Sequence, residues 1–321
     1  TLNATGAAVT VGAIAEAEAF TNLNIDSAGG EVTVGDIGAA AASTGLSSIN
    51  VTATEDVFLG AVAANNTGGV SNVTLAAANG DITGLVLTND AGNIDTVTLS
   101  GGGSIDATFN TVLLGSGTAG STRAINSTNT GSVNLTVSNA AASGAGTVVT
   151  LGDGSNTVTL LSSMNDVVTG GAGSDTVNLG AGANGRVGTN SVNLGDGTDV
   201  LNFDIAGSTE ANGIIINIGS SDAFLNGATG ASASASNLVG AMTAYARSND
   251  TGNIGSGMVT TFTGVERFVG TDQADIMISG ATGANMNGAA GDDEITGGSG
   301  ADTITGGEGQ DSINGGGGDD T

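Results

Sequence analysis

The residues best placed to do chemistry are aspartates set nine apart near the C-terminal end of the sequence. Residues 288–321 divide into GAAGDDEIT, GGSGADTIT, GGEGQDSIN and GGGGDDT. The copies follow G-G-x-G-x-D-x-U-x, with U apolar. Their sixth places hold Asp293, Asp302, Asp311 and Asp320. The loop glycines Gly291, Gly298, Gly300, Gly307, Gly309 and Gly316 let six residues turn tightly, with carbonyl oxygens facing one side. Calcium takes about six to eight oxygen ligands, and carboxylates plus carbonyls supply them. The eighth-place Ile295, Ile304 and Ile313 are predicted to point inward from a short strand. Two nonapeptides make one winding, so Asp293 stacks over Asp311 and Asp302 over Asp320. One apolar side chain in nine residues offsets little of the entropy of ordering a Gly-rich chain. Stacked carboxylates also repel. Calcium binding is therefore expected to supply folding free energy. The alternative is a disordered Gly/Asp tail, against which the recurring Ile argues.

A second, degenerate block spans 151–202. LGDGSNTVT has Asn156 at the sixth place, and LSSMNDVVT has Asp166. GGAGSDTVN, 170–178, matches every fixed place with Gly171, Gly173 and Asp175. LGAGANGRV decays, with Asn184 and Arg186, and LGDGTDVLN recovers with Asp199. Asp275 and Met277 hold repeat-like places before the last block. The candidate metal set thus adds Asp166, Asp175, Asp199, Asp275 and Asn156, with weak or no calcium expected where an amide replaces a carboxylate. No catalytic residue is assigned.

The elements that must carry these loops are strands. From Leu23 the sequence alternates in the Val-Thr-Leu manner, one face apolar and one hydroxylic. Strand pairs begin at Leu23, Ile49, Val73 and Val97, a period near 24, with Asn, Asp, Ser and Gly at the corners. A fixed period of that size marks a solenoid. The fold class read from this is all-β: a right-handed parallel β-helix over 1–150, a degenerate calcium block over 151–202, an insertion over 203–269, and a calcium-bound β-roll over 270–321. An antiparallel β-sandwich is the alternative for 23–150. AEAEAF at 15–20 reads equally as a helical turn or continued coil. SNLVGAMTAYAR, 236–247, predicts one short helix: Leu238, Met242 and Tyr245 share a face, Ser236 suits the cap, and Arg247 suits the C-terminal dipole. The rhythm blurs over 111–130.

Composition narrows the function. The 321 residues carry 31 acidic and 4 basic side chains, a net charge of −27. The basic ones are Arg123, Arg186, Arg247 and Arg267, too few to neutralise nucleic-acid phosphates. Direct insertion into a membrane is not expected, since no apolar run reaches spanning length. Cys, His, Pro and Trp are absent, which removes disulfides, thiolate chemistry and Cys/His zinc sites. Much of the hydrophobic fraction is Ala, which suits a narrow solenoid core. The chain opens TLNATG and stops within a repeat, so the natural protein is expected to be longer.

The motifs of 151–202 and 270–321 resemble those of RTX proteins exported by type I secretion from Gram-negative bacteria. The GVERFVGTDQADIMISG segment is similar to the G-x-E-x-x-x-G-T-x-x-x-D lead-in that precedes such repeats. The Thr/Ala/Val/Gly-rich remainder resembles the lattice-forming region of RTX-type S-layer proteins. This resemblance implies a secreted protein of the bacterial cell surface, with calcium as cofactor driving folding and two-dimensional assembly. It implies copies of itself as partners, and cell-surface polysaccharide met through an anchor region outside this sequence.

Three functions compete. A structural, calcium-dependent surface-layer or matrix subunit fits the long repeat, the polar outer residues and the scarcity of catalytic types. A polysaccharide lyase or epimerase would need a base, and only Tyr245 and four scattered Arg are present; a zinc protease would need His. A repeat adhesin, an extracellular stalk or a non-catalytic module of a secreted enzyme is the alternative. Sugar sites usually stack an aromatic, and Thr52/Thr54 and Thr96/Thr98 give no sustained ice-binding face.

Overall fold

The structure is a computed structural model. It describes residues 2–4, 8–14, 22–37, 48–63, 72–88, 96–109, 123–139, 145–162, 165–181, 188–203, 213–219, 223–224, 238–239, 243–247 and 254–321. The described residues are strands, turns and extended connections, and none is helical. AEAEAF, Asn184 and Arg186 lie outside them. The chain divides into two compact units, Thr1–Asp175 and Thr176–Thr321.

In the first unit strands go alternately to two sheets, except that Val62–Ala63 follows Val57–Leu59 in the same sheet and pairs with Ile82–Thr88, and each strand pairs with one in the next winding. One sheet runs Leu2–Ala4, Asn22–Ser27, Ser48–Ala53, Asn72–Ala77, Thr96–Gly101, Arg123–Ser127, Ala145–Thr150 and Asn165–Thr169. The other runs Val9–Val11, Val32–Val34, Val57–Leu59, Ile82–Thr88, Ile105–Phe109, Val133–Asn139 and Thr157–Ser162. Among the described residues these pairings are parallel, which excludes the antiparallel sandwich. Register joins Leu23 to Ile49, Ile49 to Val73 and Val73 to Val97, the period that the alternation predicts. Alternation buries every second strand position, and each buried position makes a file along the stack. Ile49, Val73, Val97, Ile125 and Val149 form one such file, and Val32, Val57, Ile82, Ile105 and Val133 another. Of the blurred stretch, 111–122 lies outside the described residues, and 123–130 departs from the apolar file at one place. Ser127 takes the buried place that Leu99 holds one winding earlier, and its Oγ accepts the Asn129 N–H at 3.2 Å.

The second unit begins at a spacing of 24 residues, Val177 with Leu201, and shortens after the insertion. One sheet runs Thr176–Ala181, Val200–Asn202, Arg267–Val269, Asn285–Ala290 and Thr303–Glu308. The other runs Thr189–Asn193, Ile254–Thr263, Thr243–Arg247, Ile214–Asn217, Ile276–Ile278, Glu294–Thr296 and Ser312–Asn314. From Ile276 and Asn285 onward, partners are eighteen residues apart: Met277 with Ile295, Ile295 with Ile313, Met286 with Ile304. Ile295 is fully buried, whereas Ile313, on the last strand, is 50% exposed.

The described residues of 236–247 are strands, which corrects the helix expected there. Leu238–Val239 is a strand paired with Ala223–Phe224. Thr243–Arg247 is a strand between Ile214–Asn217 and Ile254–Thr263, antiparallel to both. Helical spacing of three apolar residues is a weak preference when two neighbouring strands offer unpaired backbone on both sides. Strand alternation in T-A-Y-A-R places Ala244 inward, where it is fully buried against the Ile-rich strand Ile214–Asn217.

Candidate metal centre

In the last repeats the strand begins at the seventh place, with Glu294, Thr303 and Ser312, so the sixth-place side chain leaves the corner just before the strand. Within the second unit these residues form two files. In one, Asp275 N donates to Asp293 Oδ1 at 2.8 Å and Asp293 N to Asp311 Oδ1 at 3.1 Å. In the other, Ala284 N donates to Asp302 Oδ1 at 2.8 Å and Asp302 N to Asp320 Oδ1 at 3.0 Å. The stacking of Asp293 over Asp311 and Asp302 over Asp320 is therefore direct: every carboxylate takes the backbone N–H of the winding before it.

The second carboxylate oxygen turns back to its own corner. Gly298 N donates to Asp302 Oδ2 at 2.9 Å, and Gly171 N donates to Asp175 Oδ2 at 3.2 Å. This accounts for glycine at the first place. A Cβ on Gly270, Gly288, Gly297, Gly306 or Gly315 would come within 3.0 Å of Oδ2 of Asp275, Asp293, Asp302, Asp311 or Asp320 respectively. Positive φ is confined to later places, at Ala289, Gly291, Gly307, Gly309, Gly316 and Gly318 in this block. There a Cβ would also meet the preceding winding: Gly309 over the Gly291 carbonyl, Gly316 over Gly298, Gly318 over Gly300. Gly298 lies in the same way over the Gly280 carbonyl, and Gly300 over the 281–283 backbone. The first unit repeats the pattern, with Gly171 over Gly152 and Gly173 over Gly154. Carbonyl oxygens therefore stack in files beside the carboxylate files.

Do these residues fit a cation? Asp166, Asp175, Asp199, Asp275, Asp293 and Asp302 are all buried, and buried carboxylates need compensation. Oδ2 of Asp199 and of Asp293 is enclosed in the fold. Without an ion, burial drives the Asp275 carboxyl up to about 7, with the charge of Asp293 adding to the effect; burial also raises Asp175. Among the described residues no three acidic side chains converge on one point, so loop carbonyls must make up most of the ligand shell. Hard oxygen donors of that mixture suit calcium. Asp293, Asp302, Asp311 and Asp320, with the carbonyls of their corners, are the residues that would hold it.

The remaining candidates are placed differently. Asp166 Oδ1 accepts Thr147 N at 2.7 Å, and Asp175 Oδ1 accepts Asn156 N at 3.0 Å. Asp275 is held by protein donors: Ile214 N at 2.7 Å and Thr271 Oγ1 at 2.9 Å on Oδ1, and Thr271 N at 2.5 Å on Oδ2. Asn156 turns its amide nitrogen, and not an oxygen, into its own corner.

Three features escape a reading of the sequence. Glu266 takes a sixth place, its Oε2 accepting Asp199 N at 2.8 Å across a separation of 67 residues. The G-x-E-x-F spacing around it is the available signal, hidden by the insertion. Fifth-place aspartates form a second kind of tie that points forward along the chain. Asp56 Oδ1 accepts Asp81 N at 2.9 Å, Asp81 Oδ1 accepts Ser104 N at 2.6 Å, and Asp292 Oδ1 accepts Gln310 N at 2.8 Å. Corner glycines also stack well before residue 151, with Gly103 over Gly80 and Gly131 over Gly103.

Fold and corners together define a calcium-binding parallel β-solenoid. The family profile of the RTX calcium-binding nonapeptide repeat (4 copies) matches residues 162–185 and 287–321. The chain thus carries RTX repeats, and calcium is their ion. No curated protein and no solved structure matches the chain.

Proposed function

We propose that this chain is part of a secreted structural protein that builds a surface layer on a bacterial cell, with calcium driving its folding and self-association. RTX repeat proteins are typically secreted, and this supports an extracellular setting. The observation that carries the lattice reading is the outer face of the windings. Its polar side chains are tied to each other along the stack: Asn50 to Asn24 at 2.7 Å, Ser48 to Asn22 at 2.6 Å, Asn202 to Asn178 at 2.9 Å, and Thr263 to Asn193 at 3.0 Å. Side chains already ordered by their neighbours lose little entropy on meeting a second protein surface. Copies of the same chain are the partners in this reading, with calcium also bridging acidic faces between them. Cell-surface polysaccharide would be met through a region beyond this sequence, and the chain has no catalytic chemistry of its own.

Electron microscopy of the purified chain with calcium and with EGTA tests this. Sheets that form only with calcium are the expected result. Dispersed rods at every calcium concentration would overturn the lattice and leave an adhesin stalk.

A further inference from the structure

Asn156 stands where aspartate stands in the neighbouring corners, and its side chain is buried. Its orientation is set by the backbone: Val133 N donates to Oδ1 at 3.1 Å, which leaves the nitrogen facing the other way. Nδ2 then lies 3.0 Å from the Gly152 carbonyl, 2.6 Å from the Gly154 carbonyl and 2.8 Å from Asp175 Oδ1. Two carbonyls of its own corner and one carboxylate of the next winding therefore converge on a single amide nitrogen. This is the kind of oxygen set that a hard cation gathers.

An amide nitrogen brings two polarised N–H groups to such a centre and no net charge to be desolvated. With aspartate at 156 the same point would be surrounded by acceptors alone. With asparagine the point is filled, and calcium does not fit there. We propose that the Asn156 amide replaces the ion in the 151–156 corner, so that this winding is folded without calcium and forms a finished platform beside the calcium-requiring corner of Asp175. The inference rests on the reading that the other corners bind calcium.

Hydrogen exchange on the full chain, with calcium and with EGTA, separates the possibilities. In the wild type, amides of 145–162 keep their protection in EGTA while those of 288–321 lose it. Asn156→Asp is expected to lose protection over 145–162 in EGTA, to regain it in excess calcium, and to bind one more ion per chain by native mass spectrometry. Asn156→Ala loses protection with or without calcium, because neither amide nor ion then fills the point. Loss of wild-type protection over 145–162 in EGTA overturns the proposal even if no variant folds. So does Asn156→Asp that binds no further ion. Indifference of 288–321 to calcium is a separate outcome, and it overturns the calcium reading beneath the proposal.

Discussion

A sixth-place aspartate ties two windings together before any ion is considered: one oxygen takes the N–H of the winding before, and the other takes its own corner. The first-place glycine makes room for that second oxygen. Gly306→Ala isolates the effect, since the nearest atoms to the new Cβ all belong to Asp311. The methyl should push Asp311 out of place, and the calcium midpoint for folding, followed by circular dichroism, should rise. An unchanged midpoint would mean that Asp311 lies outside the ligand shell. Ala289 offers the converse test. Among the described residues it is the non-glycine one with positive φ, 79°, at a place where Gly307 and Gly316 share that conformation. A left-handed Cβ costs about 1–2 kcal/mol. Ala289→Gly should therefore stabilise the second unit by roughly 1 kcal/mol, read from urea denaturation in saturating calcium.

At the scale of the element, the turn 271–275 joins two strands through one buried carboxyl. In the calcium-free chain that carboxyl holds its proton up to about pH 7, against 3.8 for its ordinary value. Between those limits the folded form binds a proton that the unfolded form has released, so stability falls as pH rises through the window. In EGTA, the β signal that the chain retains by circular dichroism should be greater at pH 5 than at pH 7.5, and Asp275→Asn should flatten the difference. A slope that survives in the variant would assign it to the general acidity of the chain instead. Strands and their windings were largely legible beforehand. Val-Thr-Leu alternation places strands at 23, 49, 73 and 97, and the nonapeptide register places partners eighteen apart. The segment at 243–247 was not, because its state is decided by two partner strands distant in sequence. Glu266 stayed hidden for the same reason: its place is defined by Asp199, and no local pattern records that distance. The direction of the Asn156 amide is a matter of which neighbour donates to its oxygen, which residue type alone does not state.

Across the whole molecule, cohesion comes from different sources in different windings. Those of 22–109 bury files of Ile, Val, Leu and Phe109 on both sheets, whereas those of 288–321 bury Ile295 as their one fully buried apolar side chain and rely on their corners. Limited proteolysis in EGTA should therefore leave a resistant fragment from the first unit and degrade 288–321, with calcium protecting both. Equal digestion of the two would refute a division of labour between apolar core and ion.

The eighteen-residue winding also constrains how such a chain can lengthen or shrink over generations. Because strands are dealt alternately to two sheets, gaining or losing a single nonapeptide would exchange the sheet assignment of every strand downstream. A pair changes the length by one full winding and leaves all other neighbours as they were. Duplications and deletions in the 288–321 region should thus be tolerated in multiples of two repeats, with odd numbers selected against.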